Sequence, residues 1–366
     1  MGFPLRGIIN WAPFRLDALG LVTMLAAEHI NLAVGRLVRS RYTEFLPFLS
    51  EYVIASDKIV EEESGFSLYN VTDFIHTTDI KGWFTRWLKS QHLKTTSRTE
   101  IHIKLLEKPI STVTMDLQAL VIGLALMLGV LALSILIGDW YGVAASLSML
   151  ISVTVRRVIL QDLRDDLDVA MMESIVKPGY KAPVKLLITM PNSKLVSLYT
   201  SRGIVIECLT QNRPFRHPLR HTIAKSCGWI AFVVLIVALG MCSLAIQLYI
   251  IILLVGGSLM LLHGWGAHES VLGHQVSLCL HAPDIPTAED KRLLAYSNMQ
   301  LQPTEEKFLV RMGMLPQPSN TDFWERYEKA KVALSSRSSQ TVAQKDRDGK
   351  AETTLEVLHP NVLAPV

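Results

Sequence analysis

Two windows of the chain carry apolar residues almost without interruption. Residues 117–155 hold one charge, Asp139, and residues 226–262 hold none. As a single helix, either window would run about 55–60 Å at ~1.5 Å per residue. A hydrocarbon core is only about 30 Å thick. Each window is therefore read as two spans joined by a tight turn. In the first, Gly138-Asp139-Trp140-Tyr141-Gly142 breaks the run. Its glycines weaken the helix, Asp139 seeks water, and Trp140 and Tyr141 suit the headgroup layer. The expected spans are 117–137 and 140–155. The second is short, so Arg156 and Arg157 are expected to snorkel while Val158, Ile159 and Leu160 extend it. In the second window Gln247, between Ser243 and Tyr249, marks the break. Spans 227–244 and 247–262 follow, with Trp229 and Trp265 as interface anchors. Core helices of a soluble protein would show an amphipathic period, which these windows lack.

Outside the windows the periods change. Over residues 16–39, Asp17, Glu28, Asn31, Arg36 and Arg39 share one sector of a helical wheel, and Leu16, Leu19, Val22, Ile30, Val34 and Leu37 fill much of the rest. This predicts an amphipathic helix. Ile80, Trp83, Phe84, Trp87 and Leu88 share one helix face beside Lys81, Arg86, Lys89 and Lys94. Aromatic anchors with basic neighbours predict a helix lying in the membrane plane on an anionic leaflet; an ordinary helix packed on a soluble unit is the alternative. Residues 185–190, 194–200 and 203–210 read as three short strands, separated by Pro191-Asn192-Ser193 and Ser201-Arg202-Gly203. Thr287–Asp290 and Asp322–Glu325 offer helix starts, and from Ser335 the composition predicts disorder.

Composition adds orientation. The 36 Lys and Arg against 33 Asp and Glu give a net charge of +3, far from the basic excess of a nucleic-acid binder. Four cysteines exclude a disulfide scaffold. Charged residues make up 19% of the chain, against roughly 25% in an average soluble domain. Residues 156–225 carry 12 Lys and Arg against 6 acids, and residues 81–116 carry 7 against 3. The positive-inside rule then places the N-terminus and the central insert in the cytoplasm, with both turns outside or lumenal. Four spans return the C-terminus to the cytoplasm. Residues 1–15 lack the apolar stretch of a secretory signal, and Arg6 spoils a myristoylation motif. Asn70-Val71-Thr72 is a glycosylation sequon that, if used, would invert this topology.

Two clusters are candidates for chemistry. Asp162, Asp165, Asp166 and Asp168 follow the second span. Such oxygen ligands can hold Mg²⁺ and a diphosphate, and the cluster loosely resembles the aspartate-rich motifs of membrane prenyltransferases. Here the order is Asp162-Leu-Arg-Asp165-Asp166-Leu-Asp168, there is no second cluster, and four spans are too few for that fold. A solvated helix with Arg156, Arg157 and Arg164 as charge partners is the plainer reading. His217, His221, His263, His268, His274 and His281 flank the second window. Of these, His217, His221, His268 and His274 are candidate metal ligands, weighed against juxtamembrane polar groups. No cofactor is expected. Ala144, Ser148 and Ser152 form a small-residue stripe, as do Ala125 and Gly129, and both predict close helix packing within a bundle or between subunits.

Gly138-Asp139-Trp140-Tyr141-Gly142, the Ser-rich span ending Val155-Arg156-Arg157, and Arg202-Gly203-Ile204-Val205-Ile206-Glu207-Cys208 together give a resemblance. Over roughly residues 115–265 the chain resembles uncharacterised multi-pass integral membrane proteins of filamentous fungi. The resemblance implies a fungal endomembrane or plasma-membrane setting and brings no catalytic residues. The expected fold is an α-helical polytopic membrane protein with four transmembrane helices as two hairpins and a small cytoplasmic α+β unit. Its parts are 1–116 (amphipathic-helical), 117–155 (hairpin), 156–225 (insert with a three-stranded meander), 226–263 (hairpin), 264–334 (helical) and 335–366 (disordered tail). The expected function is a non-enzymatic scaffold or interaction protein. Its partners would be the lipid bilayer and proteins or further copies of itself, and no nucleic acid. A channel or transport accessory and a membrane enzyme acting on a lipid or terpenoid are the alternatives.

Overall fold

The computed structural model describes residues 20, 27–49, 51–91, 100–105, 113–191, 194–211, 215–272, 276–281 and 291–334. Residues 16–19, 21–26, Lys94, His274, the 287–290 helix start and the 335–366 tail lie outside the described residues. Four helices are long and apolar enough to cross a membrane. In chain order the helices are α1 (Ala27–Gly35), α2 (Tyr52–Ala55), α3 (Gly82–Ser90), α4 (Val113–Ile137), α5 (Trp140–Val176), α6 (Arg202–Ile204), α7 (Pro218–Met241), α8 (Leu244–Leu262), α9 (Lys291–Asn298) and α10 (Pro303–Arg311). A further helix spans 321–334. The strands are β1 (Val38–Ser40), β2 (Ser67–Asn70), β3 (Ile75–Thr77), β4 (Glu100–Leu105), β5 (Pro183–Thr189), β6 (Leu195–Ser201), β7 (Ala267–Leu272) and β8 (Val276–His281).

The first turn falls where the sequence places it. Gly138 takes a φ of +82°, in the left-handed region that favours glycine. Asp139 does not seek water, however. It is buried and caps α5, accepting the Gly142 N–H at 3.0 Å. Its other oxygen accepts the Ser243 N–H at 2.6 Å, which ties the two turns together. The second turn comes earlier than expected, at Cys242-Ser243. Gln247 does not break a helix; its amide donates to the Leu239 and Cys242 carbonyls and satisfies the end of α7. The expected 140–155 span is the largest departure. Here α5 runs 37 residues, because good helix formers continue past Arg157 until Pro178-Gly179. The tightest helix pairing joins the two hairpins, with α7 lying along α5, while α8 packs on α4 and α1.

The three-stranded meander of the insert is replaced by an eight-stranded sheet of order β1-β7-β8-β4-β6-β5-β2-β3. All neighbours pair antiparallel except β4 and β6, which are parallel and enclose the α4–α5 hairpin between them in sequence. Residues 1–116 and 264–334 therefore contribute strands as well as helices. Only the first two expected insert strands form. Residues 203–210 instead complete α6 and a π-helical turn, Val205–Thr210. Their alternation does not discriminate, since Ile204, Val205, Cys208 and Leu209 are all buried. A Cβ on Gly203 would lie 2.5 Å from the Ser174 carbonyl, so this turn sits hard against α5.

The sheet is covered on both sides near β5. Leu68, Leu186, Ile188 and Leu198 join the core shared with the long helices. Val71, Leu187 and Leu195 join a second core with Tyr296, Phe308, Leu309 and Tyr327 from the C-terminal helices. Strands buried on both faces read as continuous apolar runs. In α10, Gln302 and Glu305 form a capping box, and Asn320 caps the 321–334 helix by accepting the Phe323 N–H at 3.2 Å.

Candidate functional site

The long helices meet the sheet-bearing unit through residues 43–49 and 51–56, which pack at one end of the bundle. A Cβ on Gly123 of α4 would lie 2.3 Å from the Phe45 carbonyl, and one on Gly257 of α8 would lie 2.4 Å from the Pro47 carbonyl. Gly228 of α7 faces Ala55. Glycine is required at these contacts because backbone meets helix there. The segment brings Glu44 and Glu51 with it. Arg156, 1% exposed, pairs with Glu51 at 2.7 Å, donates to the Glu44 and Leu46 carbonyls and lies over the Phe48 ring. Arg164 binds Glu44 at 2.5 Å and the Leu37 carbonyl at 3.0 Å. Arg157 bridges Glu44 and Asp116, each at 2.8 Å, and Arg39 reaches Asp116 at 3.2 Å. The expectation that Arg156 and Arg157 snorkel is therefore corrected. Protein carboxylates and carbonyls reach them first, as expected of guanidinium groups carried on a long apolar helix. Burial alone would raise the Glu44 carboxyl. The charge and hydrogen bond of Arg164, then the charges of Arg157 and Arg156, outweigh it and hold the group at about 2.

The in-plane aromatic helix is also corrected. Phe84 and Trp87 are fully buried, Trp83 nearly so, and the Trp83 indole donates to the Cys208 carbonyl at 3.2 Å. Arg86 is buried beneath the helix, donating to the Glu61 and Lys58 carbonyls at 2.9 and 2.7 Å. Lys81 donates to the Glu207 carbonyl at 2.9 Å, and Lys89 pairs with Glu63. The alternative holds: α3 packs on its own unit. Trp140, Tyr141, Trp229 and Trp265 are exposed, as interface residues would be. Of the small-residue stripes, Ser148 and Ser152 are buried and Ala144 half-buried; Ala125 and Gly129 are exposed, although a Cβ on Gly129 would lie 3.3 Å from the Tyr249 hydroxyl of α8. The close approach on α4 is made by Gly123 instead.

The structure brings the aspartates and two of the histidines together. Asp162, Asp165, Asp166, His217 and His221 line one cavity of about 70 Å³ with Phe215, Arg216 and Arg220. Asp162 pairs with Arg220 at 3.4 Å, and Asp165 accepts from Gln161 at 2.7 Å. His221 Nε2 meets Asp57 at 2.9 Å, Lys225 pairs with the other Asp57 oxygen, and Phe215 stacks on the imidazole. Asp168 does not line the cavity. Among the described residues no three His, Cys, Asp or Glu groups are arranged to hold a metal ion; His217 and His221 line this cavity, with His221 on Asp57. The side chain of His268 and the whole of His274 lie outside the described residues. Asn70 is buried and its amide is engaged with Asp73, donating at 2.9 Å and accepting at 3.0 Å, so the sequon is not free in this fold.

Beside this cavity opens a larger cleft of about 730 Å³, sharing Asp166 and Phe215 with it. Its walls come from the end of α1, the 57–62 loop, the start of α3 and the middle of α5. Leu37, Ile59, Leu163 and Leu167 give apolar surface, while Asp57, Glu61, Glu62 and Asp166 bring carboxylates. None of the cleft residues from 57–62, nor Glu44 and Glu51, was singled out by sequence. The signal available was the polar run Asp57-Lys58 to Glu61-Glu62-Glu63 interrupted by Ile59-Val60.

In comparison with known proteins, no family model, no curated protein and no solved structure matches this chain.

Proposed function

We propose that this protein is a non-enzymatic membrane scaffold. Its four long helices cross a bilayer as two hairpins, and its sheet-bearing unit stands on the cytoplasmic face as a partner-binding surface. The observation that carries this reading is the buried network of Arg39, Glu44, Glu51, Asp116, Arg156, Arg157 and Arg164, which fastens the unit to the helices. A unit held by so many directed contacts keeps one orientation to the membrane, which suits presentation of a surface. The outward faces of the long helices support the bilayer as partner. Leu120, Leu124, Leu128, Ile151, Val233, Val237 and Ile252 are exposed, an apolar surface far larger than soluble proteins leave in water. The likeness to membrane proteins of filamentous fungi belongs to this reading; its residues make the first turn, the charged end of α5 and the π-helical turn. Exposed Phe74 and Ile75 at edge strand β3, with Met312 close by through Phe308, offer a docking surface for a protein partner or a second copy.

Photo-crosslinkers placed at Phe74, Ile75 and Met312 in the native membrane test this. The reading expects a reproducible protein adduct from these positions and only lipid adducts from Leu124 and Val233. Equal patterns from both sets would overturn it. A second reading, an enzyme acting on a lipid or terpenoid at the interface, is favoured by the shared cavity of Asp162, Asp166, His217 and His221. Replacing Asp162, Asp165 and Asp166 together, with normal folding and unchanged phenotype, would eliminate it.

A further inference from the structure

We infer, on the reading that the four long helices cross a bilayer, that the bundle is a wedge and that the protein favours a lipid surface bent convex toward its sheet-bearing unit. At the turn end the helices are drawn together. Asp139 accepts the Ser243 N–H at 2.6 Å. A Cβ on Gly142 of α5 would lie 2.7 Å from Ser134 of α4 and 3.0 Å from Ile246 of α8. Gln247 ties the start of α8 to the last carbonyls of α7.

At the other end a fifth piece of chain stands between the helices. Residues 43–49 and 51–56 put the Phe45 carbonyl against Gly123 of α4, the Pro47 carbonyl against Gly257 of α8 and Ala55 against Gly228 of α7. The Tyr52 ring meets the Phe232 ring of α7 at 5.4 Å. Helices α5 and α7 stay paired here, with Gly228 on Val155 and Arg220 on Asp162. The inserted chain therefore parts α8 from α7, and these two make little contact beyond their turn.

Depth decides which leaflet is fuller. Gly123, Gly228 and Gly257 each lie about 21–22 Å along their helices from the nearest turn, and Arg156 about 25 Å, at ~1.5 Å per residue. On the same scale α8 measures about 28 Å, close to the ~30 Å of a hydrocarbon core. Trp140 beside the first turn and Trp265 beyond α8 are exposed at the two levels where indoles gather. All four contacts thus fall in the half of the span next to the sheet-bearing unit. The turns Gly138-Asp139 and Cys242-Ser243 add no comparable chain to the other half. Irregular backbone is tolerated at such depth only where protein satisfies it. Here the Leu49 N–H donates to Ser258 at 2.9 Å, the Phe48 N–H donates to Glu51 at 3.3 Å, and the Glu44 and Leu46 carbonyls accept from Arg156. A segment of this width adds about one helix, roughly 10–12 Å across, to one leaflet. It displaces lipid there and not in the opposite leaflet. A bilayer relaxes that mismatch by bending, with the fuller leaflet on the convex side.

The test uses the full chain in giant vesicles of phosphatidylcholine, with a fluorophore on the 335–366 tail. That tail follows the 321–334 helix, which packs on the sheet through Tyr327, so it marks the side of the sheet-bearing unit. Narrow tubes are pulled outward, and an impermeant quencher tells copies with the tail outside from copies with the tail inside. Tail-out copies are expected to be enriched in the tube about twofold or more over a lipid dye, and tail-in copies depleted by a similar factor. The enrichment should persist at sparse coverage, where crowding among the sheet-bearing units vanishes. Equal density of tail-out copies in tube and vesicle, enrichment of both orientations alike, or loss of sorting on dilution would overturn the inference and leave the membrane reading intact. A chain that alkaline carbonate washes off liposomes would overturn the membrane reading, and the wedge with it.

Discussion

Helices α4 and α5 leave the same turn at Gly138 and meet different surroundings. The apolar window of α4 has a mean hydropathy of 2.9 and is 28% buried; that of α5 has 1.7 and is 50% buried. On α4 the outward positions are mostly Leu, Val and Ile, and the buried face is narrow: Ala119, Gly123, Met127, Val130, Ser134 and Ile137. On α5 protein covers one side of the helix, and on that side Arg156 and Arg164 are buried and Arg157 is half-buried. The difference teaches that the charge tolerated by a long helix depends on its neighbours. Where no protein covers the helix, as along most of α4, the side chains are mainly apolar. Where residues 43–56 are the neighbour, a guanidinium is satisfied by carboxylates and carbonyls.

The comparison breaks most sharply at Arg156. Arg156→Ala leaves Glu51 buried without its cation, and losing one partner of a buried pair costs about 3–5 kcal/mol. Unfolding in nanodiscs should show that loss, while Leu124→Ala on the exposed face of α4 should stay within about 0.5 kcal/mol. Equal effects would mean that the two helices share one environment.

Acid should loosen the α5 end next. The Glu44 carboxyl sits at about 2 in the folded chain, below its unfolded value of roughly 4.3. The unfolded state therefore binds the proton first. The stabilisation is complete above about pH 4.3 and is lost as pH falls toward 2, on the order of 3 kcal/mol in all. Unfolding temperature measured from pH 6 to 3 should drop below about pH 4.5 in the native chain. The drop should shrink in Glu44→Gln.

The glycine contacts sharpen the picture further. Gly123→Ala and Gly257→Ala drive a methyl into the Phe45 and Pro47 carbonyls, and overpacking of this kind costs about 1–3 kcal/mol. Gly240→Ala and Gly256→Ala meet nothing within 4 Å and should be neutral or slightly stabilising. Thermal unfolding of the four variants checks the pattern. The smallest loss among the clearly destabilising variants is expected at the turn. Asp139→Ala removes the α5 cap and the acceptor for Ser243, a loss of about 1 kcal/mol by the same measurement.

Some of this was legible in residues alone. Two uncharged windows and a Gly-Asp turn predict the four long helices, because hydropathy over 20 residues is a local property. The convergence of Asp162, Asp166, His217 and His221 was not legible. It arises because α7 lies along α5, and nothing near either cluster encodes that pairing. The aromatic face of α3 shows the same limit from the other side. Trp83, Phe84 and Trp87 beside basic residues read equally as a membrane anchor or a core face. Only the Glu61, Lys58 and Cys208 carbonyls, which receive Arg86 and Trp83, tell them apart. Residues 203–210 alternate like a strand and fold as a helical turn, because both of their faces are buried against α5 and α3.

The sequence by itself determined how many helices are long and apolar enough for a bilayer and where the first turn falls, since those depend on neighbours in the chain. The tertiary structure decided which charges are buried, how five separated stretches pair into one sheet, and where the cleft opens. These depend on partners far away in sequence, such as Glu44 with Arg164 and β4 with β8, whose meeting is fixed by packing and by the need to satisfy each buried polar group.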